Sequence, residues 1–224
     1  MSGLGVRQRA ALVLLAALLG AGLTARLGVW QLSRAAEKEQ AQAALDSRGA
    51  APPLAPAELA AEPKQATEQF FRRIELRGRW VDGRTVFLDN RPMAGRPGFY
   101  VVTPLLIGEG GDAVLVQRGW VPRDANDRTR VPAVPSAAGV VAVEGRIAPP
   151  PSRLYELGAE GQGPIRQNLD IDAFARETGL KLRPLSVLQS DSAGTAGDGL
   201  LRQWPAPAVD VHKHYGYAFQ WFAL

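Results

Sequence analysis

Residues 10–25 read AALVLLAALLGAGLTA without one charged side chain, and after Arg26 the apolar character resumes through Leu27, Val29, Trp30 and Leu32. If Arg26 snorkels to the interface, the run supplies about 20 residues, enough for one helical crossing of a bilayer. A chain that opens this way either keeps that helix in lipid or loses it as a secretory signal. Arg7 and Arg9 in front suit both outcomes, and Gly20 and Gly22 could precede a cleavage site, whereas Trp30 stands where an interfacial aromatic belongs. We expect an anchor at 10–32, a cytoplasmic tail at 1–9, and the long downstream part on the far side of the membrane.

Residues 33–48 contain no helix breaker and are rich in Ala, Glu, Gln and Arg, so a helical stalk is expected there. Pro52, Pro53, Pro56 and Pro63 then read as an Ala/Pro-rich linker over 49–69, with no need for structure of its own. From Phe70 short β-branched and apolar runs alternate with Gly, Pro and Asp clusters, which predicts strands in FRRIELRGRW, TVFLDN, GFYVVTPLL, AVLVQRGWV and VVAVEGRI. Asp82-Gly83 signals a hairpin between the first two, and GEGGD at 108–112 a hairpin turn. IDAFARETG, 171–179, reads as a short helix with Asp172 near its start and Gly179 after its end. PLSVLQ, 184–189, reads as a further strand, and SDSAGTAGDG, 190–199, as a flexible loop. The expected fold is mainly β within an α+β class: a twisted antiparallel sheet or partly closed barrel over 70–209, carrying one short helix.

Cysteine is absent, which removes disulfides, thiolate metal sites and cysteine nucleophiles together. Hydrolase, zinc-protease, dinucleotide and Walker signatures are also missing, so an enzyme is not expected. Asp82, Asp89, Asp124 and Asp127 sit in turn-like contexts where a solvated or backbone-capping carboxylate is the ordinary reading. The net charge of +4 is spread along the chain, which gives nucleic acid no footprint.

The densest cluster closes the chain as VDVHKHYGYAFQWFAL, 209–224. In a helix starting near His214, that residue, Tyr217 and Trp221 fall within an arc of about 60 degrees. His212 shares the direction only if the lead-in is extended. Two readings stay open. The aromatics and His214 mark the water boundary of a second membrane helix, or His214 is an axial ligand to a haem iron with aromatics on the macrocycle and arginines at the propionates.

The chain resembles the surfeit locus protein 1 family of cytochrome c oxidase assembly factors. LGVWQLSRAAEK at 27–38 is similar to that family's amino-terminal Gly-x-Trp-Gln-x-x-Arg, with Trp30, Gln31 and Arg34 in matching places. GRPGFYVVTPL at 95–105 and VQRGWVPRD at 116–124 resemble its two internal stretches, and His212 through Trp221 its closing pattern, with His212 where Asn is usual. The resemblance implies a membrane-anchored factor that assists maturation of oxidase subunit I, its partner, and delivery of haem a from its synthase. It implies a transient haem a site drawing on His214, His212, Tyr217, Trp221, Trp30 and Arg34, with His214 on the iron. The family continues into a second membrane helix where this chain stops at Leu224, so 210–224 is expected to be the truncated start of that helix. With only nine residues before the apolar run, a bacterial inner membrane with the domain in the periplasm is expected. A structural module that clamps an oxidase subunit without touching haem is the alternative.

Overall fold

The computed structural model describes residues 5–108, 110–155 and 163–224. The chain divides into two compact units, one formed by the amino-terminal residues to Ala44 with Pro205–Leu224, the other by Leu45–Trp204. The first helix, α1, runs unbroken from Val6 to Ala50 and has the length and apolarity to cross a membrane. At 1.5 Å per residue it is about 68 Å long. Leu12, Val13, Leu14, Leu15, Leu18, Leu19 and Leu23 point outward and are all more than half exposed, as side chains that face lipid rather than a protein core would be.

In the second unit the five expected runs form β1 (Arg73–Trp80), β2 (Val86–Leu88), β3 (Gly98–Ile107), β4 (Asp112–Pro122) and β5 (Val141–Ala148). They are followed by β6 (Ile165–Arg166) and β7 (Lys181–Gln189). The sheet order is β1-β5-β7-β4-β3-β2-β6, and β1 also pairs with β3, which closes β1, β5, β7, β4 and β3 into a five-stranded barrel. Closure depends on Gly78, where a Cβ would collide with the Leu106 carbonyl oxygen. β1 alternates strictly, with Ile74 and Leu76 inward and Arg73, Glu75, Arg77 and Arg79 outward. Its inward residues join Leu105, Val114, Val116, Val143, Ile147, Leu185 and Val187 in the barrel core. β4 is buried from Ala113 to Trp120 because its other face is covered as well: Leu115 packs with Leu169, Ile171 and Phe174.

Four expectations need correction. The expected partly closed barrel is present, but its pairings are not all antiparallel, since β4 pairs parallel with β7 from Asp112↔Lys181 to Gln117↔Leu188, and β2 with β6. The turn at Asp82-Gly83 exists, with Gly83 at φ +69° and Arg84 N–H donating to Val81 O, but it makes no hairpin. β1 and β2 both pair antiparallel with β3, at Trp80↔Leu105 and Val86↔Val102, so the turn is a kink in a path along one edge and not a reversal. The Ala/Pro stretch has structure of its own. Leu54 bridges Ile74, and Pro63, whose missing N–H costs nothing in a first turn, opens α2 (Pro63–Gln69). Leu59, Ala60 and Ala66 are buried there, and the Gln69 carboxamide clasps the segment by accepting from Ala60 N and donating to Glu58 O. The expected short helix is present as α3 (Ile171–Thr178), with Asp172 in its first turn and Asp170, whose side chain accepts from Ala173 N, as its cap. Gly179 ends it at φ +71°, the left-handed position glycine tolerates. A one-turn helix at Ala193–Thr195 interrupts the glycine-rich loop, with Thr195 buried and its hydroxyl accepting from Ser192 N.

The two internal stretches singled out in the sequence are partners across one hairpin, with Tyr100 facing Trp120 and Val101 facing Gly119. The indole of Trp120 is fully buried, donates to Arg91 O at 2.6 Å, and lies where a Cβ on Gly98 would be. Gly119 allows Leu201 to bridge Trp120 through two backbone hydrogen bonds, since a Cβ there would be 2.7 Å from Leu200 Cβ. These residues are therefore architectural.

Candidate functional site: a tied helix pair

The carboxyl-terminal cluster is helical. α4 (Val211–Ala223) begins after Asp210, which holds φ +62° and pairs with Lys213 at 3.0 Å. α4 packs antiparallel on α1 within their own unit. His214 Nδ1 lies 2.7 Å from Gln31 Oε1, Tyr215 OH donates to Glu39 Oε1 at 2.7 Å, and Lys38 Nζ donates to Val209 O at 2.8 Å. Further along, Phe222 lies over Gly28, where a Cβ would come within 2.6 Å of the ring. Ala35 and Ala218, 0% and 2% exposed, are the dry points of the seam.

The seam on α1 is Gly28, Gln31, Ala35, Lys38 or Glu39, and Gln42, a three-four spacing that selects one face of a helix. On α4 it is His214, Ala218 and Phe222. Sequence reasoning centred the site on aromatics and missed Gly28, Ala35, Glu39 and Ala218, since the small-and-polar repeat on α1 becomes informative only beside the opposing helix. Trp221 is half-buried beside this face, and Tyr217, 52% exposed, falls at its margin. His212 is exposed on a different side, about 200 degrees around the helix from His214. Trp30 is 49% exposed, and Arg34 stacks 5.8 Å over it while pairing with Glu37 at 2.7 Å.

With the carboxamide oxygen of Gln31 facing the ring, Nδ1 of His214 is the donor in this contact, and Nε2 takes no part in it. That imidazole could ligate a metal through Nε2. The rest of the set fits a porphyrin poorly: Arg34 is engaged by Glu37 and Trp30, and Phe222 fills the space over Gly28. Among the described residues no group of three or more His, Asp or Glu could hold a metal ion. Of the turn carboxylates, Asp89 pairs with Arg123 at 3.3 Å, and Asp124 and Asp127 behave as caps. Asp124 accepts from the amides of Asn126 and Asp127, which hold its carboxyl below the usual range, and Asp127 accepts from the hydroxyl and amide of Thr129.

Comparison with known proteins gives these motifs a context. Surfeit locus protein 1 of Rattus norvegicus is 27% identical over 214 residues, covering 88% of this chain and 67% of that one. Surfeit locus protein 1 of Homo sapiens is 31% identical over 120 residues, 46% of this chain and 39% of that one. The cytochrome oxidase assembly protein SHY1 of Saccharomyces cerevisiae is 26% identical over 98 residues, 44% of this chain and 25% of that one. The chain thus spans well under half the length of the yeast and human relatives. All these relatives, with those from Mus musculus, Dictyostelium discoideum, Monosiga brevicollis and Drosophila melanogaster, are eukaryotic, which overturns the expectation of a bacterial inner membrane and periplasmic domain. That expectation rested on the few residues before the apolar run, and their number says nothing about compartment. The model of the SURF1 family matches residues 18–224, from the apolar half of α1 through the barrel to the end of α4, and the chain belongs to that family.

Proposed function

We propose that the chain is a membrane-anchored, non-catalytic assembly factor for cytochrome oxidase, which clamps an oxidase subunit, subunit I by the family's implication, through its paired helices. The observation that carries this reading is that the family's end motifs meet in one seam: Gln31 of the first motif is bonded to His214 of the last. Residues that hold one helix to another shape a docking surface; their chemistry is mutual and leaves little for a substrate. The test is removal of the protein from cells that make it, with oxidase assembly followed on native gels, and affinity isolation of the tagged chain with its haem content recorded. Loss of assembly with subunit I in a haem-free isolate is expected. Normal assembly without the protein overturns the reading.

One observation favours a second reading, transient holding of haem a. Gln31 fixes the His214 ring through Nδ1, the manner in which outer partners orient ligating imidazoles, and leaves Nε2 as the ligand atom. His214→Ala separates the readings. If assembly falls while the isolate never shows a haem spectrum, the clamp stands; a haem spectrum in the parent that His214→Ala abolishes establishes the second.

A further inference from the structure

The outer face of the β1–β5 pair carries an arrangement that costs the barrel energy. In the antiparallel register Arg73 stands directly opposite Arg146, and two residues along Glu75 stands directly opposite Glu144. Like charges facing one another across a strand pair are destabilising, and a one-residue change in either strand would remove each clash. These four side chains line a cleft of about 350 Å³ together with Gly49 and Ser190. None of the four forms an ion pair with another, although both signs are present.

Arg146 differs from the other half-buried arginines of the barrel. Arg91 donates to Ser152 O and Gln167 O, Arg118 to Pro135 O and Ser136 Oγ, and Arg183 to Asp112 and Leu59 O. The guanidinium of Arg146 has no such partner for its terminal nitrogens; its Nε is buried without a hydrogen bond, as are those of Arg91, Arg118 and Arg183. Burial lowers its pKa. Arg73 is only lightly held, its Nη2 3.2 Å from Ala51 O.

We propose that this cleft docks an extended segment of a partner protein that carries a carboxylate and a cationic side chain two residues apart, as in Glu-x-Lys. The spacing decides the class. The arginine rung and the glutamate rung are two residues apart along a strand, about 7 Å, and side chains at i and i+2 of an extended peptide stand on one face at the same separation. A simple anion gains from the arginines but meets the glutamates, and a simple cation meets the reverse. A phospholipid headgroup joins phosphate and ammonium through two carbons, too short to reach both rungs. The proposal adds to the clamp reading and does not depend on it, since every residue that lines the cleft, the last turns of α1 included, belongs to the barrel's unit and none to the α1–α4 seam.

The test is fluorescence anisotropy of labelled, short Val/Thr-rich peptides on the full chain in detergent, with Glu-x-Lys as the probe and Glu-x-Glu, Lys-x-Lys and adjacent Glu-Lys as comparators. The probe is expected to bind roughly tenfold or more tightly than each comparator, and Arg146→Ala to weaken it by a similar factor. Glu144→Gln, at an exposed position that folding tolerates, is expected to weaken Glu-x-Lys and strengthen Glu-x-Glu, a reversal that no loss of stability imitates. Equal binding of the four peptides, an unmoved preference in Glu144→Gln, or full competition by inorganic phosphate or a soluble phosphoethanolamine lipid overturns the proposal.

Discussion

The barrel and the helix pair solve the same problem, holding secondary elements together, by different means. The barrel buries a continuous set of Leu, Ile, Val and Trp side chains, and even its half-buried arginines are mostly given backbone carbonyls. The helix pair leaves its apolar side chains outside and closes on small residues and four polar contacts, at Gln31–His214, Glu39–Tyr215, Lys38–Val209 and Gln42–Ala208. Around Gly28 and Gln31, within the apolar run, close backbone approach and an interhelical hydrogen bond are what can hold helices in lipid, where apolar burial drives nothing, whereas the contacts of Lys38, Glu39 and Gln42 lie in the expected stalk beyond it. The two patterns of packing are independent of one another. This predicts that substitutions act on one unit without the other.

The largest effect is expected at Trp120, fully buried and bonded to Arg91 O. Trp120→Ala removes the ring that packs on Gly98 and should cost about 3–5 kcal/mol, read from urea unfolding by far-UV circular dichroism. The barrel transition should shift or vanish while the helical signal of α1 stays. Loss of both together breaks the comparison. Next is Gly28, where any side chain meets Phe222. Gly28→Leu should weaken the α1–α4 pair by about 1–3 kcal/mol, followed by disulfide trapping between cysteines placed at Ala35 and Ala218, with the barrel's urea midpoint unmoved.

Most of the barrel was legible because its strands are short apolar, β-branched runs, alternating in β1 and continuous in β3 and β4, and its breaks are Gly, Pro and Asp. β1 is the clearest case, with polar and apolar residues alternating from Arg73 to Arg79. Pairing was less legible. Nothing local to Asp82-Gly83 says that both flanking strands share the edge of β3, and the parallel β4–β7 contact joins segments some 70 residues apart. The Ala/Pro segment misled because Leu54, Leu59, Ala60 and Ala66 are buried one at a time, without a period. At the site His214 and the end of α1 were legible from the motifs, whereas Gly28 and Ala35 were not, because small residues announce close packing only once the opposing helix is known.

A smaller effect is expected at the hydrogen bond between the motifs. His214→Ala and Gln31→Ala should each loosen the helix pair, and a double-mutant cycle on the same disulfide-trapping readout should give a coupling of about 0.5–1.5 kcal/mol. A coupling near zero means that His214 and Gln31 do not act as a pair, and the seam then rests on Gly28 and Ala35 alone.

The smallest effect sharpens the contrast from the barrel's side. Asp112, at the start of β4, lies 2.9 Å from Lys181 Nζ and 2.6 Å from Arg183 Nη2. The Lys181 ammonium is the main influence that holds its carboxyl below the usual carboxylate range; partial burial works the other way, and Arg183 reinforces the lowering. A carboxylate whose folded pKa is depressed stabilises the fold fully above its unfolded value, about 3.9, and that contribution disappears as pH falls through the folded value. Asp112→Asn should therefore lower the barrel's melting temperature at neutral pH by a few degrees at most, and the gap from the parent should close in strong acid. Salt should narrow the same gap at neutral pH, since Lys181 is exposed and screened. A gap that persists unchanged in acid would show that Asp112 acts through packing or turn geometry, and the ion pairs with Lys181 and Arg183 would then contribute nothing measurable.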